Sequence, residues 1–205
     1  MIHVQGKLPP KLAVACSGGP DSMAVLDFLR RRHEVTAYFC DHGTDDSMEG
    51  FNKLAHYATD NKIPILQASI KEFRDKFDSE SQEEYWREFR YDAFCLRKPN
   101  TTIIMAHHLD DCVETWLWNM VNGKPGIIPY RNRNVIRPFR LNRKRDLELW
   151  CNMNGVPFHQ DKSNLDLRRT RNYIRHEMMP HVLRVNPGIY KVIKKKVLED
   201  APEVE

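Results

Sequence analysis

Four short apolar runs, Leu12–Cys16, Val35–Cys40, Ile63–Ala68 and Thr101–Ala106, are each followed by a longer stretch of helical spacing. The runs read as strands. The stretches Asp21–Arg32, Asp46–Asn61, Glu83–Leu96 and Asp110–Val121 read as helices, the last closed by Asn122-Gly123. Strands joined through helices pair in parallel with right-handed crossovers. The chain is thereby constrained to an α/β fold, a doubly wound parallel sheet of about five strands, with Pro64 placing its strand at an edge. Ligands of such sheets gather at the carboxyl ends of the strands, near the point where strand order reverses.

After Gly123 the alternation fades, and Pro125, Gly126, Pro129 and Pro138 mark loops. Further helices are expected at about Arg143–Met153, at Thr170–Leu183 with Pro180 in or near its last turn, and at Pro187–Leu198, before an acidic tail, Glu199–Glu205. The division expected is an α/β domain over residues 1–140 and a basic helical extension over 141–205 packed on it.

Charge separates along the same line. Residues 1–123 hold 14 Lys/Arg against 19 Asp/Glu, and residues 124–205 hold 18 against 9. The densest basic stretch carries Arg131, Arg133, Arg137, Arg140, Arg143, Lys144 and Arg145 without an acid. A polyanionic partner for the C-terminal half is one reading, and a solvated surface is the other. No run approaches a membrane span, and Met1–Pro10 lacks the apolar stretch of a signal peptide, so a cytoplasmic protein is expected. Cys16, Cys40, Cys95, Cys112 and Cys151 are scattered without a CxxC pair, against a zinc or iron–sulfur framework.

Three motifs follow strands at the ligand-binding edge. Ser17-Gly18-Gly19-Pro20-Asp21-Ser22 comes directly after the first strand and opens the first helix. Adjacent glycines allow a tight turn whose N–H groups can face an anion, and the helix dipole adds to the same spot. It is not a GxxxxGK(S/T) loop. Asp41-His42 follows the second strand. His107-His108-Leu109-Asp110-Asp111 follows the fourth, with Glu114 sharing a helix face with Asp111. Helix capping would account for one of these aspartates, but not for three acids and two histidines together. A metal site is one use of such residues; pairing with a cationic amine is the better one. Downstream, Arg171 and Arg175 lie one helical turn apart, so both can address one anion.

The strand–SGGxDS–helix unit resembles the signature of the PP-loop ATP pyrophosphatases. Together with Arg87-Glu88-Phe89-Arg90-Tyr91, Ala106–Thr115, Ile136-Arg137-Pro138-Phe139 and Asp161–Arg175, it makes the chain similar to the tRNA(Ile)-lysidine synthetase family over about residues 10–187. That resemblance implies ATP-dependent adenylation of the cytidine at the first anticodon position of tRNA(Ile) with a CAU anticodon, followed by attack of free L-lysine to form lysidine. It implies ATP at Ser17, Gly18, Gly19, Pro20, Asp21, Ser22 and His42, with Mg²⁺ on Asp21. Lysine falls to Asp111, Glu114 and His108. The catalytic set is Asp21, Arg87, Asp111, Glu114 and Arg171. Family members carry further C-terminal domains that grip tRNA. Contacts to tRNA are therefore expected from Arg131, Arg133, Arg140, Arg143, Lys144, Arg145, Arg175 and the Lys-rich last helix. Cys112 stands where the family often has Gln. The alternatives are another PP-loop tRNA modifier, a 2-thiolating enzyme, or a non-catalytic nucleotide- or RNA-binding module.

Overall fold

The computed structural model describes residues 2–72 and 82–201, so the end of the acidic tail lies outside the described residues. Strands β1 (Lys11–Ala15), β2 (Glu34–Asp41), β3 (Ile65–Ser69), β4 (Ile103–Ile104), β5 (Arg131–Asn132) and β6 (Val135–Ile136) form one sheet of order β3-β2-β1-β4-β6-β5. β5 pairs antiparallel with β6, and the other pairs are parallel. The expected doubly wound α/β sheet is therefore present. Its additional strands come from the basic stretch, where Val135 and Ile136 are buried enough to pair beside Ile103 and Ile104. β3 is an edge strand, as expected, with Pro64 directly before it.

β1 is central because it is apolar on both faces. Leu12 and Val14 join one core cluster with Met23, Leu26 and Leu29 of helix α1 (Pro20–Arg30) and Leu54 of α2 (Asp45–Asp60). Ala13 faces the opposite cluster with Tyr38 of β2, Phe89 of α3 (Gln82–Tyr91) and Phe94 of the π-helical turn after it, Asp92–Leu96. Alternate residues of one strand thus serve two helical layers. β1 has β2 on one side and β4 on the other, so the strand order reverses there and a crevice opens between their carboxyl ends.

The third cluster joins α4 (Leu109–Val121) to the C-terminal helices. Leu109, Val113 and Leu117 pack against Ile174 and Met179, and against Ile189, Ile193 and Val197 of α8 (Ile189–Glu199). Helix α6 (Thr170–Tyr173) runs through a π-helical turn, Ile174–Met178, into α7 (Met179–Val185). Pro180 lies just after the π-helical turn, five residues before this continuous helix ends at Val185 and so near its last turn.

Two expectations need correction. Helix α5 (Lys144–Asn154) buries Leu147 and Cys151 in the first core cluster beside β1 and α1, so a boundary at residue 140 cuts through a continuous core. Arg140, expected at tRNA, is fully buried. It donates to the Ile128 carbonyl at 2.7 Å and pairs with Asp200 at 2.5 Å, tying α8 to the sheet. Arg137 is buried as well, bonded to the Tyr91 hydroxyl and the Pro129 carbonyl. Basic sequence here is partly internal scaffolding.

Candidate active site

The crevice at the strand reversal holds a cavity of about 290 Å³. Ser17, Gly19, Asp21 and Ser22 line it after β1, and Met105, Ala106 and His107 after β4. His42 and Arg90 close one side, and Asp111 with Arg171 the other. The three motifs that follow strands in the sequence therefore meet in one space.

The loop is shaped from inside. The Ser22 hydroxyl accepts from the Ser17 N–H at 3.2 Å and donates to the Gly19 carbonyl at 3.0 Å. Gly19 caps α1 without a side-chain hydrogen bond, and Pro20 begins the helix. Amides of the first turn, which have no intrahelical acceptor, are thus left for a ligand. Gly18 has φ +80°, and a Cβ there would lie 2.0 Å from the Gly50 carbonyl oxygen. Gly50 is equally constrained, its own added Cβ lying 2.3 Å from the Ser17 oxygen. Two glycines, one in the motif and one on α2, let the loop and helix touch backbone to backbone. His159 completes the clamp. Its N–H donates to the Gly18 carbonyl at 2.8 Å, and its ring lies 3.2 Å from Asp46 and 3.3 Å from Glu49 of α2.

The acids are tightly organised. Asp111 caps the start of α4, accepting from the His108 N–H at 2.9 Å, while the His108 Nδ1 stands 3.3 Å from the Asp111 nitrogen. The His108 Nε2 stands 3.6 Å from Asp21 and 3.5 Å from Asp111. Burial opposes charge on this imidazole, but Asp111, Asp21 and Asp110 outweigh burial and push it up to about 9. A charged ring cannot also accept the Asp111 N–H at Nδ1. That 3.3 Å contact is long, and Asp110 lies 3.6 Å from the same nitrogen, so three surrounding carboxylates favour the imidazolium. Burial alone would raise the Asp111 carboxyl, but the charges of His108 and Arg171 hold it well below the usual range.

Arg171 donates to Asp111 at 2.8 Å and to Glu114 at 3.0 Å, and Arg175 donates to Glu114 at 2.7 Å. Glu114 is buried, and guanidiniums meet both its oxygens. Arg175, expected at tRNA, here neutralises an acid. Arg143 likewise forks onto Asp110, at 3.0 Å from Nη2, and stacks on Tyr190. Arg131, Arg133 and Arg145 remain exposed, and Lys144 is half-buried.

Arg87 is exposed, its guanidinium lying toward the Tyr91 ring, while Arg90 reaches the cavity. The Arg90 Nη1 is 3.2 Å from His42 Nε2. Burial and the Arg90 charge lower the His42 imidazole to about 4, so the neutral ring accepts from the guanidinium. The motif contained both arginines, and only the side of α3 that packs on β2 selects between them. His108 is a buried support behind the acids rather than a wall of the cavity. His107 does line it, with burial lowering its ring to about 3 and Nδ1 left without a partner. Gly50, Arg90 and His159 were missed. No local pattern marks Gly50 or His159.

Among the described residues no three His, Cys, Asp or Glu side chains are placed to hold a metal ion by themselves. All five cysteines are free and buried, and burial raises Cys16 to about 11 and Cys40, Cys112 and Cys151 to about 12. No described helix is long and apolar enough to cross a membrane.

A glycine loop that can hold phosphate at the reversal point of a parallel sheet defines an α/β nucleotide-binding domain. The chain belongs to the PP-loop domain family, whose model matches residues 3–182. It is 33% identical over 195 residues to the tRNA(Ile)-lysidine synthase of Thermosipho africanus, covering 86% of this chain and 45% of that protein. The tRNA(Ile)-lysidine synthase of a Thermotoga species is 30% identical, with 90% and 48% covered. The chain thus spans about half the length of these curated relatives. Among solved structures, the U34-tRNA thiolase NcsA of Methanococcus maripaludis, with its [4Fe-4S] cluster, shares the fold at TM-score 0.72 and 14% identity, with 97% of this chain and 74% of that one covered.

Proposed function

We propose that this chain ligates lysine to the cytidine at the first anticodon position of tRNA(Ile), through an adenylated cytidine. The observation that carries this reading is the joining, at one cavity, of a phosphate-suited loop to Asp111 and Arg171, with the buried Glu114 behind them sharing that arginine, in a chain similar to lysidine synthases. The setting is the cytoplasm, where tRNA, ATP and free lysine are together.

In the first step the cytosine C2 oxygen attacks the α-phosphorus of ATP. An O–P bond forms, the α–β bridge breaks, and pyrophosphate leaves along the Ser17–Ser22 loop, whose amides carry the growing negative charge. Arg90, oriented by His42, adds a cation on the opposite wall. Mg²⁺ fits this arrangement. Asp21 Oδ1 is buried without a partner, and Mg²⁺ takes one or two carboxylates together with phosphate oxygens. Bound there by Asp21, it would offset phosphate charge.

In the second step the lysine ε-nitrogen attacks C2. A C–N bond forms, the C2–O bond breaks, and AMP departs with the oxygen. The ammonium replaces an arginine at Asp111 and Glu114, and gives one proton to the carboxylate that holds it. Arg171, so released, turns to the phosphates. The pair thus carries internal guanidiniums until an amine arrives, which spares it the cost of two unpaired buried charges.

The test is incubation with labelled lysine, ATP and a CAU-anticodon transcript. Label should enter RNA only with ATP present, with one AMP formed per lysine. Label that enters without ATP, or AMP release without label transfer, overturns the proposal.

A further inference from the structure

A second cavity, of about 380 Å³, lies on the other side of the first turn of α4. His3, Leu141, Arg143, Tyr190, Lys191 and Lys194 supply most of its wall, with Leu109 and Asp146 completing it. Leu109 begins α4, and Asp111, two residues on, lines the catalytic cavity, so the two spaces are neighbours across one helical turn.

Its charges are unevenly satisfied. Arg143 is held by Asp110. Lys191 and Lys194 are exposed, and among the described residues neither side chain has an acid partner. They sit at i and i+3 on α8, with Lys195 following at i+4. The opposite side of the helix buries Ile189, Ile193 and Val197. Packing therefore fixes which face carries the lysines, and that face opens on the cavity. The floor is apolar through Leu109 and Leu141, with the Tyr190 ring beneath the Arg143 guanidinium. Unpaired ammonium groups above an apolar floor suit a phosphodiester with its ribose better than a compact inorganic anion.

We propose that this cavity binds backbone phosphates of the RNA substrate, with Lys191 and Lys194 contacting phosphate oxygens as the strand leaves the catalytic cavity over the first turn of α4. The inference rests on the RNA reading of the proposed function. A strand passing through the catalytic cavity finds Arg175 and Arg143 beside it already paired with Glu114 and Asp110, so these cations are spent on internal acids. The flanking phosphates need cations outside it, and Lys191 and Lys194 line the neighbouring cavity.

The experiment measures binding of a CAU anticodon stem-loop RNA across salt concentrations, for the full chain and for Lys191→Gln/Lys194→Gln. Two lost contacts in a single-stranded region make the log–log salt slope shallower by about 1.4, since each phosphate contributes about 0.7. At low salt the affinity should drop about tenfold or more. Lys7→Gln/Lys53→Gln, which removes the same charge elsewhere, should keep the wild-type slope, and thermal unfolding midpoints check folding. A wild-type slope in the Lys191/Lys194 variant, with wild-type chain binding RNA, overturns the inference and leaves the proposed function standing. An equal change in the control pair also overturns it, as a net-charge effect. Pyrophosphate bound as tightly as RNA, and lost in the variant, reassigns the cavity to small anions. Failure of the wild-type chain to bind RNA overturns both readings.

Discussion

Gly50→Ala tests whether the phosphate loop is shaped by a helix distant from it in sequence. In a helix interior the substitution alone stabilises by about 1 kcal/mol. Here the new Cβ would lie 2.3 Å from the Ser17 oxygen, 0.7 Å inside the 3.0 Å that real Cβ atoms respect. The atom met is backbone, so no side chain can swing aside, and α2 or the loop must shift. Forced overpacking costs about 1–3 kcal/mol. The clash outweighs the helical gain, leaving a net loss of about 1 kcal/mol, or about 3 °C in Tm for a chain of this size. The functional effect should be larger, because misplacing a binding loop by about 1 Å can cost about 100-fold in rate. Thermal unfolding and ATP-dependent AMP formation read the two effects separately. Gly126→Ala is the control, since an added Cβ there meets nothing closer than 3.8 Å. A Gly50→Ala protein more stable than wild type, with unchanged AMP formation, would refute the reasoning.

Glu114→Gln should raise the lysine concentration for half-maximal ligation about 10-fold or more while moving the ATP requirement far less, because the lost charge faces the amine; steady-state titrations of both substrates decide, and equal shifts would remove Glu114 from lysine binding. Arg90→Gln should slow AMP formation about 100-fold, and Arg87→Gln less than about threefold, since only Arg90 lines the cavity; the reverse ranking would return the role to Arg87. The His108 ring is raised from 6.5 to about 9 on folding, so its contribution to stability is complete below pH 6.5 and fades as pH rises through 9. Urea unfolding of wild type and His108→Gln should therefore show a stability gap that narrows from pH 6 to pH 9.5, and a widening gap would show that the folded protein holds this ring neutral.

The class of fold was legible because it depends on local pattern. Short apolar runs alternating with helical spacing force parallel pairing, and Ser17–Ser22, Asp21, Asp111 and Glu114 sat in segments whose order placed them at one edge of the sheet. Pairings across the chain were not legible. Nothing near Gly50 signals that its missing side chain makes room for Ser17, and nothing near His159 announces contact with Gly18. Basic residues were hardest to assign, because sequence reports a charge but not its neighbour. Arg140 found Asp200 in the interior, Arg175 found Glu114, and Lys191 and Lys194 found open space. Hydrophobic periodicity and backbone sterics act over a few residues and are written in the chain; desolvation and charge pairing depend on what the folded surface brings within a few ångströms, and tertiary structure alone decided those.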